Sequence, residues 1–231
     1  MLKTQIKRQA RVANLLTSLY NEILLSEYED GAEITEAYIA NKHGVSRSTV
    51  RTALSELIDN GLVIVKPNGR KYIKGITSKY IEDLCQTRSL LECEAARIIL
   101  ERENNDFSIL LSIVGNFYSD LQEVNYEKRR KKIAYTNEAF HDQLFLMTDN
   151  RPLIQCRQSI EPILSSIIYL NASLDSSFNE QGYYDSHKQI VELLMDKDPN
   201  CIDYIRYHVR EATFKDILKV IDRHTKAIKK E

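Results

Sequence analysis

The segment from Gly44 to Leu54, with the sequence GVSRSTVRTAL, constrains the fold more than any other stretch of the chain. Gly44 can adopt the positive φ of a sharp turn, and Ser46 is a favourable N-cap for a helix that starts directly after it. Apolar residues at helical spacing predict the buried face of this helix: Val50, Leu54, Leu57 and Ile58. Arg47 and Arg51 are four residues apart and share a different face. A basic first turn beside a packed face is typical of a recognition helix in the DNA major groove, although a solvated helix face has the same pattern.

The neighbouring segments predict a helix-turn-helix followed by a wing. Residues 5–26 have apolar residues at helical spacing and predict a first helix, and Thr35 is the expected cap of a short second helix. Residues 62–65, with the sequence LVIV, predict a strand, and residues 70–73 predict its partner. The turn signal at residues 67–69, PNG, joins the two strands. A hairpin directly after a recognition helix forms a wing, whose tip can point toward DNA phosphates.

The composition favours a mostly helical protein with a basic N-terminal part. Only 7 of the 231 residues are Gly and 4 are Pro, so the chain has few helix breakers. In residues 1–75, Lys and Arg outnumber Asp and Glu by 11 to 8, whereas in the remainder the acids prevail by 25 to 21. This asymmetry is consistent with a DNA-binding unit joined to a second domain.

Cysteine usage and hydropathy indicate a cytoplasmic protein. The 4 cysteines form no CxxC pair, which argues against a thiolate zinc site. The N-terminus lacks the apolar core of a signal peptide, and no apolar run approaches the ~20 residues that span a bilayer. We therefore expect a cytoplasmic location and no membrane partner.

No strand pattern appears after residue 75, and the sequence from residue 79 onward predicts helices. The expected bounds are 79–103, 107–126, 132–148, 151–171, 183–196 and 201–229. Six helices with short connections predict an antiparallel bundle. A run of five basic residues, Lys128–Lys132, precedes the third of these helices. It is interpreted as a solvated helix start, with a second DNA contact as the alternative.

Three histidines fall at mid-helix positions of the predicted bundle: His141, His187 and His208. Asn137 lies four residues before His141, so the two side chains project from one helix face. Imidazoles that converge with an oxygen ligand in a bundle core can bind a divalent metal. Hydrogen-bonded core histidines without a metal have the same sequence pattern, so both interpretations stay open.

Residues 34–75 resemble the winged-helix DNA-binding domain of the GntR family of bacterial transcription regulators. The residues that carry the resemblance are Val45-Ser46-Arg47, Val50-Arg51, Ala53-Leu54, Leu57, Asn60-Gly61-Leu62 and the Gly69 hairpin. The resemblance implies that Arg47 and Arg51 contact operator DNA and that the wing enters the minor groove. The expected DNA-binding residues are Thr35, Ser46, Arg47, Ser48, Thr49, Arg51, Lys66, Asn68, Gly69 and Arg70. Ordinary surface charge is the alternative for the basic residues of the wing, which include Lys71.

The predicted bundle resembles the FadR C-terminal ligand-binding domain (FCD) of GntR regulators over nearly all of residues 79–222. The matching segments are Arg88-Ser89-Leu90-Leu91-Glu92, Asn137 with Phe140-His141, His187 with Ile190, and His208. In metal-binding members an acid and three histidines hold zinc, nickel or manganese, and these positions match Asn137, His141, His187 and His208. Because the amide of Asn137 brings no charge, we expect weaker metal affinity and a larger role for a bound organic anion in charge balance.

Arg88 matches an arginine that faces the ligand pocket in some relatives. A guanidinium can pair with a carboxylate through two parallel hydrogen bonds. A structural salt bridge to Glu92 or to another helix is the alternative. The resemblance implies a small carboxylate effector, such as an organic or sugar acid, bound by Arg88, Asn137, His141, His187 and His208.

The expected fold is mainly α, with an N-terminal winged helix-turn-helix and a C-terminal antiparallel six-helix bundle. Residues 1–75 form the expected DNA-binding domain, residues 76–78 a linker, and residues 79–231 an effector-binding and dimerisation domain. We expect a ligand-responsive transcription regulator, a repressor that binds a near-palindromic operator as a homodimer. Two rivals are a regulator whose bundle only dimerises and an enzyme, namely a metal-dependent hydrolase.

Overall fold

A computed structural model of the chain describes residues 2–25, 27–74, 77–174 and 179–212. These residues form two compact units, one that ends at Thr77 and one that begins at Ser78. The predicted fold class is confirmed, with a small sheet in the first unit and a helical bundle in the second. Among the described helices, none has the length and apolarity needed to cross a membrane.

The first unit contains the helices α1 (Leu2–Leu24), α2 (Glu36–His43) and α3 (Arg47–Asp59). The predicted caps form, since Thr35 accepts a hydrogen bond from the backbone N–H of Tyr38 and Gly44 ends α2 at φ 62°. The core of this unit includes side chains that are 0% exposed: Leu19, Ile39, Val50, Ala53, Leu54 and Leu57. Ile58, which was expected at the buried face, is only partly buried.

The wing has one strand more than the sequence predicts. Its strands are β1 (Glu33–Ile34), β2 (Val63–Val65) and β3 (Lys71–Ile73), in the order β1-β3-β2 with antiparallel pairing throughout. β1 is only 2 residues long and precedes α2, so its sequence has no visible alternation. It forms because β3 offers a free edge, to which Glu33 and Ile34 pair at Tyr72 and Lys71.

The second unit contains six helical segments in the described residues. Their bounds are α4 (Ser78–Glu101), α5 (Ser108–Leu121), α6 (Tyr126–Met147), α7 (Arg151–Leu174), α8 (Glu180–Met195) and α9 (Asn200–Arg206). Two predicted bounds are wrong, because α5 ends at Leu121 and α6 already begins after the Asn125 cap. The side chain of Asn125 accepts a hydrogen bond from the backbone N–H of Lys128, which places Lys128–Lys132 inside α6.

The last predicted helix changes from an α-helix to a π-helix. α9 continues into a π-helical segment, Tyr207–Ala212, whereas the sequence predicts an uninterrupted α-helix. The part of that prediction from residue 213 onward lies outside the described residues. Short π-helical turns within α-helices often occur at functional sites, and this one contains His208.

Candidate functional site

At the start of α3 the hydroxyl groups of Ser46, Ser48 and Thr49 lie close together, and they differ in how far they are exposed to solvent. The Oγ of Ser46 lies 2.9 Å from Oγ of Ser48 and 2.8 Å from Oγ1 of Thr49. It also accepts a hydrogen bond of 3.2 Å from the backbone N–H of Thr49, whose side chain is 5% exposed. Ser48 and Arg47 are exposed. The cap therefore holds Thr49 inward and leaves Arg47 and Ser48 facing solvent.

Arg51 is exposed but already has an acidic partner. Its Nη2 lies 3.1 Å from Oε2 of Glu36, the first residue of α2, and its Nε donates to Oε1 at 3.4 Å. Lys71 of β3 also approaches Glu36, with Nζ 3.5 Å from Oε1. The guanidinium of Arg51 keeps the pKa of Glu36 below its ordinary value. Glu36, which no sequence pattern singles out, thus joins α3 to the wing.

The tip of the wing orients its basic residues by local contacts. The Nζ of Lys66 lies 4.1 Å from the centre of the Tyr72 ring, and Nη1 of Arg70 lies 3.1 Å from Oε2 of Glu33. Asn68 accepts a hydrogen bond of 3.0 Å from the backbone N–H of Arg70, and Gly69 has a φ of 78°. The turn thus depends on Asn68 and Gly69, while Lys66 and Arg70 remain exposed.

We expect the substitution Glu36→Gln to reduce discrimination between operator and unrelated DNA several-fold. The change removes one negative charge beside Arg51 and Lys71, which strengthens binding to DNA of any sequence. It also weakens the contact that orients Arg51. Fluorescence anisotropy with operator and scrambled duplexes at several salt concentrations gives the ratio of the two affinities. Glu29→Gln, which alters an exposed acid of the same unit, is the control, and an unchanged ratio for Glu36→Gln would contradict the positioning role.

The three histidines of the second unit come together in the bundle core. His141 on α6, His187 on α8 and His208 each offer one ligand atom, and these atoms lie within 4.8 Å of one another. The Nε2 atoms of His141 and His187 are 3.2 Å apart, and both side chains are 0% exposed. The ring of His208 stacks on His141 at 5.5 Å and meets His187 edge-on at 4.7 Å. Three side chains from distant parts of the sequence thus form one cluster.

The spacing of the ring nitrogens fits a bound cation. The Nδ1 of His187 donates to the backbone carbonyl of Tyr183, because a carbonyl oxygen can only accept. The Nδ1 of His141 lies 2.8 Å from Oε2 of Glu92, although this ion-pair contact does not have the angle of a hydrogen bond. The Nε2 atoms of His141 and His187 are hydrogen-bonded at 3.2 Å, and since His187 carries its proton on Nδ1, its Nε2 accepts from Nε2 of His141. A tetrahedral zinc with bonds of ~2.0–2.1 Å holds two nitrogens at about this separation.

Burial keeps these rings neutral, as metal ligands must be. Desolvation holds the pKa of His141 and of His208 well below the ordinary histidine value, and the charge of Arg88 acts in the same direction. Desolvation also lowers the pKa of His187 to about 4, against the opposing effect of the Tyr183 carbonyl. At neutral pH none of the three rings therefore carries a second proton that a metal would have to displace.

Arg88 and Glu92 support the cluster from α4. The Nε of Arg88 lies 2.6 Å from Oε1 of Glu92, and the two side chains are 2% and 0% exposed. The salt bridge expected as one alternative for Arg88 is therefore present. Since the other oxygen of Glu92 faces His141, one carboxylate connects the arginine to the histidine cluster. Carboxylates in this position fix the orientation of a metal-binding imidazole.

Asn137 occupies the position expected for an acid. It is 2% exposed, lies one helical turn before His141, and donates from Nδ2 to Oε1 of Glu138 at 3.0 Å. Its side chain can offer a neutral oxygen but no charge. The donor set that the structure brings together is three imidazoles, with Glu92 next to one of them, and Asn137 as an oxygen ligand stays a prediction.

The basic cluster Lys128–Lys132 pairs with acids of its own unit. Its two terminal lysines lie 3.2 and 3.0 Å from Oε2 of Glu123, and its two arginines lie 2.5 and 3.3 Å from the carboxylate of Glu180. Arg130 is 4% exposed and also donates to a backbone carbonyl of α7. These contacts favour the interpretation as a helix start over a second DNA contact.

Comparison with protein families identifies both units. Residues 12–73 match the family described as "Bacterial regulatory proteins, gntR family", and residues 83–211 match the FCD domain. The chain belongs to the GntR family and carries an FCD domain. The family resemblance drawn from the sequence is confirmed, and members of this family are transcription regulators rather than enzymes.

Individual relatives agree with this assignment. The Nta operon transcriptional regulator of Aminobacter aminovorans is 24% identical over 195 residues, which cover 84% of this chain and 88% of that protein. The gluconate operon transcriptional repressor of Bacillus subtilis (strain 168) is 25% identical over 179 residues, covering 74% and 70% of the two chains. The crystal structure of a GntR transcriptional regulator from Rhodococcus sp. RHA1 shares the fold with a TM-score of 0.59, at 19% identity and over 91% and 98% of the chains.

We expect Glu92→Gln to lower the metal affinity of this GntR protein by about 10- to 100-fold, the usual effect of removing a partner of a metal ligand. The amide preserves the side-chain volume but removes the charge beside Nδ1 of His141. Titration with zinc against a competing chelator measures the affinity. Glu94→Gln, on the same helix and paired with Arg97 at the surface, is the control and should bind zinc like the unmodified protein. Equal affinities for all three proteins would contradict the role of Glu92.

Proposed function

We propose that this GntR-family protein is a ligand-responsive repressor that binds a near-palindromic operator as a homodimer. The observation that carries the proposal is the capped first turn of α3, which leaves Arg47 exposed beside a wing with exposed Lys66 and Arg70. Two-fold symmetric regulators place two such helices about one turn of DNA apart, ~34 Å. In this assignment Arg47, Ser48 and Arg51 meet the major groove, Thr35, Ser46 and Thr49 hold the helix ends, and Lys66, Asn68, Gly69 and Arg70 form the wing contact. A protein of this function acts in the cytoplasm.

We assign the histidine cluster to a divalent metal that takes part in effector binding. His141, His187 and His208 would hold the ion, with Asn137 as a neutral oxygen ligand. Bound there, the ion would supply a positive charge that attracts an anionic ligand. The grouping of three imidazoles, whose ligand atoms lie within 4.8 Å of one another, supports this assignment, and the hydrogen bond of 3.2 Å between Nε2 of His141 and Nε2 of His187 is the alternative use of the same atoms.

The proposed effector is a small carboxylate held by the metal and by Arg88. Glu92 engages Nε of Arg88, and we assign the terminal nitrogens of the guanidinium to the effector carboxylate. The effector would favour one arrangement of the dimer over another, and operator affinity would follow this population shift.

The test is binding of the purified protein to DNA from the region upstream of its own gene. Fluorescence anisotropy should detect saturable binding that an unrelated duplex does not reproduce. Adding zinc with a panel of small carboxylates should then release the DNA. Absence of sequence-dependent binding would overturn the regulator proposal. If the protein binds DNA but no carboxylate changes that binding, with or without metal, the second unit would be a dimerisation domain only.

A further inference from the structure

One face of α5 is exposed over most of the helix and is covered by no part of the chain that the structure describes. The buried side chains of this helix, Leu110, Val114 and Phe117, pack into the core of the second unit. Leu111 and Tyr118 lie on the opposite side and are 49% and 58% exposed. We define the α5 face by its exposed residues Leu111, Ser112, Gly115, Tyr118 and Ser119.

The α5 face carries no charge. Charged residues make up 28% of the chain, yet residues 108–119 contain none. Asp120, the one acid of α5, turns toward α6, where its Oδ2 accepts a hydrogen bond of 2.6 Å from Oγ1 of Thr136. A surface helix normally keeps charged side chains on its solvent side, whereas the cores of protein interfaces are depleted of charge and enriched in tyrosine. The composition of the α5 face is therefore typical of an interface.

Gly115 lies at the centre of the α5 face. A glycine in the middle of a helix is less favourable than an alanine, because glycine loses more backbone freedom on folding. The described residues give no reason for this glycine, since a Cβ at Gly115 would meet no atom within 4 Å. Ser112 and Ser119, about one turn away on either side, are also small and exposed. The centre of the face thus allows the backbone of another helix to approach closely.

Tyr118 is held in place before any partner binds. The centre of its ring lies 5.9 Å from that of Tyr184 on α8, at an interplanar angle of 55°. Aromatic rings in tilted pairs attract each other through the edge of one ring and the face of the other. A side chain that is ordered beforehand loses less conformational freedom on binding, so Tyr118 is suited to anchor a contact.

The α5 face is complementary to itself. Leu111 and Tyr118 are seven residues apart, about two helical turns, and therefore lie to the same side of Gly115 around the helix. With a rise of ~1.5 Å per residue, Leu111 lies about 6 Å before Gly115 along the helix axis and Tyr118 about 4.5 Å after it. If two α5 helices pack antiparallel about a two-fold axis at Gly115, each Leu111 lies at nearly the same height as the partner's Tyr118. Two-fold dimers use the same patch of both subunits in this way.

We propose that the α5 face is a two-fold contact between two copies of this chain, in which the two α5 helices pack antiparallel. Gly115 lies at the axis, and Leu111 packs against the partner's Tyr118 in two equivalent contacts. The uncharged face avoids repulsion between identical surfaces. This inference rests on the homodimer of the proposed function and names the surface through which that homodimer forms.

Charged substitutions of the two contact residues test the proposal on the full-length protein. Leu111→Lys and Tyr118→Glu should each raise the dissociation constant of the dimer about tenfold or more, because each buries an unpaired charge twice per dimer. Sedimentation equilibrium measures this constant. Leu146→Lys is the matched control, since it alters a leucine of α6 that is 57% exposed and lies outside the α5 face, and it should leave the constant unchanged.

An equimolar mixture of the two variants tests the antiparallel arrangement. In a mixed dimer the new lysine of one chain lies beside the new glutamate of the other, and the second contact between Leu111 and Tyr118 is unaltered. The mixed dimer buries no unpaired charge, so it should be about tenfold or more tighter than the dimer of either variant alone. Sedimentation of differently labelled chains measures the mixed dimer, and misfolding of a variant cannot produce such a recovery.

Unchanged dimerisation of both variants, or a mixture that associates no better than the separate variants, overturns the inference. Operator binding is measured on the same samples. If both variants stay dimeric and bind the operator as the unmodified protein does, the α5 contact fails while the proposed regulator stands. If the unmodified protein is monomeric both in solution and on operator DNA, the homodimer of the proposed function fails as well.

Discussion

Replacing Arg47 by alanine is expected to abolish specific operator binding at physiological salt. Arg47 is exposed in the first turn of α3, where arginines make paired hydrogen bonds to guanine edges or contact phosphates. Loss of a base contact costs about 1–3 kcal/mol in each half-site, and a symmetric dimer loses it twice. Anisotropy titrations of operator and scrambled duplexes, repeated over a range of salt concentrations, measure both the affinity and its salt dependence.

The salt dependence distinguishes a base contact from a phosphate contact. If Arg47 reads a base, the affinities for operator and scrambled DNA should become similar with little change in slope. If it binds a phosphate, both affinities should fall and the slope should decrease by about one unit for each phosphate that the variant no longer neutralises. Arg11→Ala, which removes an exposed arginine from α1, is the matched control and should bind as the unmodified protein does. If the affinity and the salt dependence of the Arg47→Ala protein are unchanged, the first turn of α3 does not contact the DNA.

Replacing His187 by alanine is expected to eliminate stoichiometric metal binding. The side chain is 0% exposed, and its Nε2 faces that of His141, so the substitution removes one of three clustered imidazoles. A protein that binds zinc only when folded gains ~2.7 kcal/mol at a hundredfold excess over Kd, and this gain should vanish in the variant. Elemental analysis after dialysis and thermal unfolding with and without zinc measure the two effects.

The fold of the variant needs its own control, because His187 packs against Phe117 and Phe140 at 4.6 Å. His187→Gln keeps more of the packing volume and should lose the metal as well. His43→Ala, in the first unit, should retain both the metal and the stabilisation, since His43 contacts Glu22 rather than the cluster. A His187→Ala protein that still binds one zinc per chain would contradict the assignment of the cluster to a metal.

If a carboxylate bound in the second unit releases the operator, as proposed, the coupling between the two sites is reciprocal. A carboxylate that weakens operator binding by a given factor has to bind the operator-bound protein more weakly by the same factor. Titration of the effector into free protein and into the protein–DNA complex measures that factor from both sides.

Features that depend on neighbouring residues are predicted well from the sequence. The caps at Thr35 and Ser46 and the left-handed Gly44 arise from contacts within three or four residues, and all three form as expected. The α3 stripe of Val50, Leu54 and Leu57 is buried because its spacing matches one helix face. The bounds of α5 and α6 differ from the prediction, because the cap at Asn125 restarts the helix before the basic run.

The approach of distant side chains was decided by the tertiary structure alone. The histidines were candidates by their helix positions, but 46 residues separate His141 from His187, and only the packing of α6 against α8 brings their Nε2 atoms together. Similarly, Arg51 contacts Glu36, which lies 15 residues away in the sequence. Arg129 and Arg130 contact Glu180, at sequence separations of 51 and 50 residues. No spacing rule connects residues that far apart.

The sequence by itself thus determined the family, the winged helix-turn-helix, the helical second domain and the identity of the chemically capable side chains, since these follow from local propensity and short-range periodicity. Only the tertiary structure decided which of those side chains meet. It placed Glu92 between Arg88 and His141, and it left Arg157 buried with unused donors. The physical reason is that burial and charge pairing depend on how helices pack, which fixes the partners of an ionisable group and its protonation state.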